Sequence, residues 1–215
     1  MAVLKGLDTT MELTRHALAL KETNGFDFVL RYYSHHASKN LSLGEARALS
    51  DVNLQIGVVW ETLGLHASFF SYAQGLADGS AAYQIARNQI GQPIDAPIYF
   101  AVDYNATRAD LEGPISAYFS AIRDVFVLAA KGEASYPIGV YGSGLCCGYL
   151  LDKKLASFSW LSQSKDYTGS TEFKAEGRYN LVQAMPTSVK LDDGATMQID
   201  PNETNPKLPT GLFTL

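Results

Sequence analysis

From its first residues the sequence alternates short, β-branched apolar runs with longer segments of helical periodicity. Strands that are apolar on both sides must be covered on both faces, and the segments between them are long enough to supply that cover as crossover helices. The strand-like runs fall at residues 4–8, 26–33, 55–60, 98–102, 137–141, 158–161, 179–184 and 196–199. A first helix is expected over 11–23, capped by Thr9 or Thr10 and stopped by Asn24-Gly25, and a second over 43–52, opened by Ser42 with Glu45 completing a capping box. A third spans 69–90, where Asp78-Gly79-Ser80 predicts a break. A fourth, entered through Thr107, spans 111–130, and a short one ends near Lys153. Beyond Gln163 the pattern changes to a polar, glycine-rich stretch through Gly177. No convincing helix separates the last two strands, Asp192-Asp193-Gly194 reads as a hairpin turn, and a Pro-containing tail starts at Asn202. The count predicts an α/β fold: one domain over residues 1–215, a (β/α)8 TIM-like barrel with its last helices reduced or missing.

Four acidic residues sit where apolar runs give way to polar sequence: Asp8, Glu61, Asp103 and Asp200. If those runs are parallel strands of one barrel, all four carboxylates emerge at the rim where barrel enzymes keep their chemistry. Clustered carboxylates repel one another and raise each other's pKa, which is what a general acid working near neutral pH requires. Glycoside cleavage needs such an acid, together with a second carboxylate or a substrate group to stabilise positive charge on the sugar. Asp103, which ends the central strand, is the first candidate for the acid, and Glu61 is the second carboxylate. The alternatives are structural: Asp103 capping the next helix or pairing with Arg31, Asp8 bonding its own turn, Glu61 solvated, and Asp200 initiating a turn before Pro201.

Substrate contacts are expected from Arg31 and Tyr32 at the end of strand two, Trp60 beside Glu61, Tyr141, Trp160 and Gln183. An aromatic face packs well on the apolar face of a pyranose, and an inward Arg31 would be the counter-ion of the carboxylate cluster. Strand alternation allows only some of these side chains to point inward.

Other chemistries find little support. A net charge of -5 without a long basic run argues against nucleic acid as partner. Cys146 and Cys147 are adjacent and match no zinc spacing, so two reduced, packed thiols are expected. His16, His35, His36 and His66 show no metal-ligand spacing either, and no metal or cofactor is expected. Gly142-Ser143-Gly144 lacks the spacing of a nucleophile elbow. No apolar stretch is long enough for a membrane span, and the N-terminus carries no signal-peptide pattern. Synthesis in the cytoplasm is therefore expected, with access to an external target through lysis, dedicated secretion or a signal outside this sequence.

Several segments taken in order resemble the glycoside-hydrolase-like domain family, whose barrel is related to the glycoside hydrolase family 25 lysozymes. They are Gly6-Leu7-Asp8, Phe28-Val29-Leu30-Arg31-Tyr32, the run from Ile98 to Asp103, Ile138-Gly139-Val140-Tyr141-Gly142-Ser143, Leu181-Val182-Gln183 and Gln198-Ile199-Asp200. In those lysozymes strand one supplies an Asp, strand four ends in Asp-x-Glu with the Glu as proton donor, and a late strand supplies another Asp. The resemblance implies that Asp8 and Asp200 match, that Asp103 stands for the proton-donating Glu, and that Ala101 replaces the Asp of the motif. It implies peptidoglycan or a related glycan as partner, cleaved at β-1,4 links. Ala101 leaves open a rival reading, a glycan-binding domain on the same barrel without catalysis. A carboxylate metal site acting on phosphates or amides is the third.

Overall fold

The computed structural model describes residues 2–215. Seven parallel strands succeed one another around a barrel: β1 (Lys5–Asp8), β2 (Phe28–Tyr33), β3 (Gln55–Trp60), β4 (Ile98–Ala101), β5 (Ile138–Gly142), β6 (Phe158–Leu161) and β7 (Leu181–Gln183). After β7 the chain forms a hairpin of β8 (Thr187–Lys190) and β9 (Thr196–Thr204), and β9 slots between β7 and β1 to close the circle. The closing strand is antiparallel to both neighbours. The reason is local: a hairpin returns the chain in the opposite direction, whereas a parallel return needs a crossover. The expected eight-stranded TIM-like barrel with a reduced last third is thus present, with its eighth strand reversed.

Reversal does not remove Asp200 from the rim. It lies mid-strand rather than at a strand end, directly opposite Asp8 in the β1–β9 register, and β9 continues through Pro201 to Thr204 where a tail was expected. The remaining tail folds under the barrel. Phe213 bridges antiparallel to Ile56, and Leu212 packs against the residues that fill the barrel interior.

Around the sheet run α1 (Ala17–Glu22), α2 (Leu43–Asp51), α3 (Tyr72–Gln84, continued by a π-helical turn to Ile90), a single turn α4 (Arg108–Asp110), α5 (Ser116–Ala130), α6 (Gly144–Asp152) and α7 (Ser170–Glu176). Three expectations need correction. The first helix begins only at Thr14 as a 3-10 turn, because the backbone before it is engaged elsewhere: the Leu13 amide donates to Glu45 Oε1 and the Thr9 carbonyl accepts from Arg31. The third helix is unbroken at Asp78-Gly79-Ser80. Gly75 and Gly79 let it lie against α5 so closely that a Cβ on Gly75 would stand 2.3 Å from the Tyr118 carbonyl oxygen. Finally, the glycine-rich stretch contains α7, bracketed by Gly169 and Gly177, both in the left-handed region that favours glycine.

Side chains alternate between two cores. Phe28, Leu30, Tyr32, Val59, Tyr99, Ala101, Tyr141, Trp160 and Leu181 fill the barrel interior. Val29, Tyr33, Val58, Trp60, Phe100 and Val140 face the helices. Inside the barrel a glycine faces a large ring, as where a Cβ on Gly139 would meet the Tyr99 ring at 2.4 Å.

The same alternation sends Arg31 outward. Its guanidinium is 1% exposed and forms a two-pronged pair with the fully buried Glu45 (Nε to Oε1 2.7 Å, Nη2 to Oε2 3.2 Å), and Nη1 reaches the Thr9 carbonyl at 2.6 Å. Ser42 does cap α2, accepting from the Glu45 amide, but the Glu45 carboxylate serves Arg31 and Leu13 instead of closing a capping box. Removing one partner leaves the other charge buried and bare, so Glu45→Ala should cost about 3–5 kcal/mol. Urea denaturation would measure it, and a loss under about 1 kcal/mol would show the pair to be dispensable.

Candidate active site

Counting inward positions toward the C-terminal ends of the parallel strands leads from each strand to one cavity. Asp8, Tyr32, Tyr141, Trp160 and Gln183 come from within β1, β2, β5, β6 and β7. Glu61 and Asp103 follow β3 and β4 with the same alternation, and Asp200 comes from β9. The cavity has a volume of about 290 Å³, and all four acidic residues line it.

Asp8 forms its floor and is 2% exposed. Oδ1 accepts from the Tyr32 hydroxyl at 3.1 Å, while Oδ2 accepts from Gln183 Nε2 at 2.8 Å and Asn202 Nδ2 at 2.7 Å. The network continues outward: Gln183 Oε1 accepts from the Tyr141 hydroxyl at 2.9 Å, and Asn202 Oδ1 accepts from Trp160 Nε1 at 2.8 Å. Burial raises the Asp8 pKa to about 7, the three donors oppose that rise, and nearby Asp200 adds to it.

Asp103 is the opposite case. Its backbone amide is tied to the Gly64 carbonyl at 3.0 Å, but among the described residues its carboxylate has no hydrogen bond or ion pair. Burial raises its pKa above the ordinary carboxylate value, with Glu61 and Asp200 contributing. The Asp200 pKa is raised by burial. Glu61 is held by Lys39 Nζ at 3.3 Å, and the same ammonium lies over the Tyr32 ring, 5.0 Å from its centroid. One wall therefore carries an ion-paired carboxylate and another an unpaired carboxyl group whose pKa burial raises.

Two expected contacts fall outside the cavity. Arg31 faces the helices, as described, and so is no counter-ion for the cluster. Trp60 is buried on the same outer side, with the His35 ring edge-on at 4.8 Å, because its position on β3 has the opposite parity to Glu61. The aromatic lining is instead Tyr32, Tyr141, Trp160 and Tyr167. Tyr141 and Trp160 pack edge to face at 4.6 Å. Ala101 lies in the interior packing layer below Asp103, buried against apolar side chains.

Asn202, Lys39, Ser162, Gln163 and Tyr167 were absent from the residues anticipated at the site. Asn202 was within reach, since it stands two residues from Asp200 on one strand face. The loop residues Lys39 and Tyr167 carry no periodic signal. Cys146 and Cys147 are free and buried as expected, and burial pushes the Cys147 thiol up to about 12. Among the described residues no group of three His, Cys, Asp or Glu side chains is placed to hold a metal, and no helix is long and apolar enough to cross a membrane.

The profile of one family, described as "Rv2525c-like, glycoside hydrolase-like domain", matches residues 18–204. The chain belongs to the Rv2525c-like family. Among curated proteins, this Rv2525c-like domain is 25% identical over 213 residues to the uncharacterized protein FadG of Bacillus subtilis (strain 168), covering 97% of the chain but 36% of FadG, so it spans about a third of that relative. Its fold is that of the Tat-secreted protein Rv2525c of Mycobacterium tuberculosis, solved with L-tartrate (TM-score 0.74, 20% identity, 96% of this chain and 98% of that one). A bacterial lysozyme from Streptomyces coelicolor shares it more distantly (TM-score 0.54, 13% identity, 95% and 93%). This Rv2525c-like domain is thus a glycoside hydrolase-like domain whose barrel shares its fold with a bacterial lysozyme.

The raised Asp8 pKa has a thermodynamic consequence. A folded-state value near 7 against an ordinary 3.8 means that the folded protein keeps a proton the unfolded chain has released. Stability from this group is complete below pH ~4 and is lost as pH rises through about 7, at about 1.4 kcal/mol per unit. Asp8→Asn preserves the shape, with Tyr32 accepting where it now donates. That variant should flatten the decline in unfolding free energy between pH 4 and 7, and an unchanged slope would count against a raised pKa.

Proposed function

We propose that the protein is a glycosidase that cleaves β-1,4 links in a bacterial cell-wall glycan, with peptidoglycan as the substrate class. The observation that carries this reading is the Asp103 carboxyl group, unpaired and raised in pKa, at the mouth of a cavity lined by three further carboxylates. The lysozyme-related fold supports it. Asp103 in its protonated form donates to the glycosidic oxygen as the bond to the anomeric carbon breaks, and the leaving sugar departs as an alcohol. Glu61, ion-paired with Lys39, faces the positive charge that develops on the remaining sugar, and the water that adds to the anomeric carbon returns a proton to Asp103. The N-acetyl oxygen of the substrate is an alternative nucleophile, which would relieve the chain of the carboxylate that Ala101 lacks. Asp8 fixes Tyr32, Gln183 and Asn202, and Asp200 raises the pKa of the acid. Tyr141 and Trp160 supply ring surface to the sugar.

Ala101 also favours a second reading, in which the barrel binds the glycan without cutting it. Mass spectrometry of fragments released from purified peptidoglycan separates the two. Muropeptides from the wild type and a drop of at least a hundredfold in Asp103→Asn would support the glycosidase. Retained saccharide binding with no product from either protein would leave the binding domain.

The pH profile gives an independent check on the acid. Activity requires protonated Asp103, so kcat/KM should fall as pH rises through its raised pKa. Asp200→Asn removes one of the charges that raise it, and the alkaline limb should move to lower pH. A limb that stays in place in this variant would show that another group is the proton donor.

A further inference from the structure

A second cavity, of about 590 Å³, opens beside the acidic one, between the loop after β6, α7 and the end of β7. The two share a wall of Ser162, Gln163, Ser164 and Gln183. Their chemistries are opposite. The first is lined by four acidic residues and no lysine or arginine, the second by Lys165 and Lys174 and no acidic residue. Neither lysine's ammonium group has a hydrogen bond or ion pair among the described residues, and both residues are exposed. In a chain of net charge -5, such a cavity repels no anion from its own lining.

The lining of this second cavity includes the apolar side chains of Leu161, Val182, Ala184 and Met185, with Met185 66% exposed to solvent. Exposed methionine next to lysine suits aliphatic carbon bearing a carboxylate better than a neutral sugar with hydroxyls all around. The shared wall also carries unused bonding capacity. Ser162 is 5% exposed, and its Oγ, like Gln163 Oε1, is buried without a hydrogen-bond partner. A ligand running from one cavity to the other passes along that wall.

From this we infer that the second cavity is a subsite for an acidic, peptide-like substituent carried by the glycan, with Lys165 and Lys174 pairing its carboxylates and Met185 packing on its aliphatic carbons. The inference rests on the glycan reading of the acidic cavity and specifies which part of the substrate the neighbouring cavity takes. The acidic cavity then holds the sugar at the bond to be cut, while the peptide-like branch lies across β7.

Binding, rather than turnover, tests it. Calorimetric affinities would be compared for a peptide-bearing peptidoglycan fragment, the same fragment with its carboxylates amidated, a neutral glycan of equal length, and the acetylated acidic peptide alone. The Lys165→Ala/Lys174→Ala double variant, altered only at exposed side chains, should keep its melting temperature. It should bind the acidic fragment and the free peptide about tenfold more weakly, the neutral glycan unchanged. Amidation should weaken wild-type binding by a similar factor and leave the double variant indifferent. Equal losses for neutral and acidic ligands, or no loss for the acidic fragment and peptide, would overturn the subsite. Absence of cleavage with these differences intact would count against the glycosidase alone, and lysine-dependent binding of the free peptide with no glycan binding would uphold the cavity while sinking the glycan reading.

Discussion

The Asp8 carboxylate is where this barrel is closed and where its cavity begins. Its two oxygens take hydrogen bonds from side chains on β2, β7 and β9, so one buried group on the first strand gathers its neighbour on one side and the two last barrel strands on the other. A carboxylate this deep is costly to leave unsatisfied, and the three donors offset that cost only while the strands stay in register. Tyr141 and Trp160 are oriented through the same network, by way of Gln183 and Asn202. Closure of the sheet and alignment of the polar wall are therefore one event.

The Arg31–Glu45 pair plays the matching part on the outside. It joins β2 and α2 to the segment between β1 and α1, and it delays the first helix by claiming the backbone at Thr9 and Leu13. A buried hydrogen-bond network and a buried ion pair thus lie back to back on neighbouring positions of β2. Tyr32 turns to Asp8 within the barrel and Arg31 turns to Glu45 outside it.

Much of this was legible in the sequence. Apolar runs ending in acidic residues located the strands and the rim, and the lack of a helical segment before residue 196 announced an irregular closure. Period-two parity would also have put Glu61 and its neighbour Trp60 on opposite sides of the sheet, and allowed only one of Arg31 and Tyr32 to face inward. The direction of β9 could not be read from its own residues, because it follows from the hairpin before it. Helix α7 was hidden by its flanking glycines, whose left-handed conformations end a helix as readily as they make a loop. The break expected at Asp78-Gly79-Ser80 failed because contact with α5, invisible to local propensity, rewards small residues there. Lys39 and Tyr167 reach the cavity from loops, where no periodicity marks them.

The way the tail folds under the barrel sets how this domain can be carried. Phe213 bridges to β3, and the Leu215 amide donates to Ser50 Oγ at the end of α2. At the other end of the chain, the Leu4 amide donates to Thr204 Oγ1, where β9 finishes. Leu4 and Leu215 therefore both lie on the face opposite the acidic cavity. A polypeptide joined at either end would leave from beneath the barrel and keep the rim clear, so that the domain could hang as a head facing a surface while its attachments trail behind.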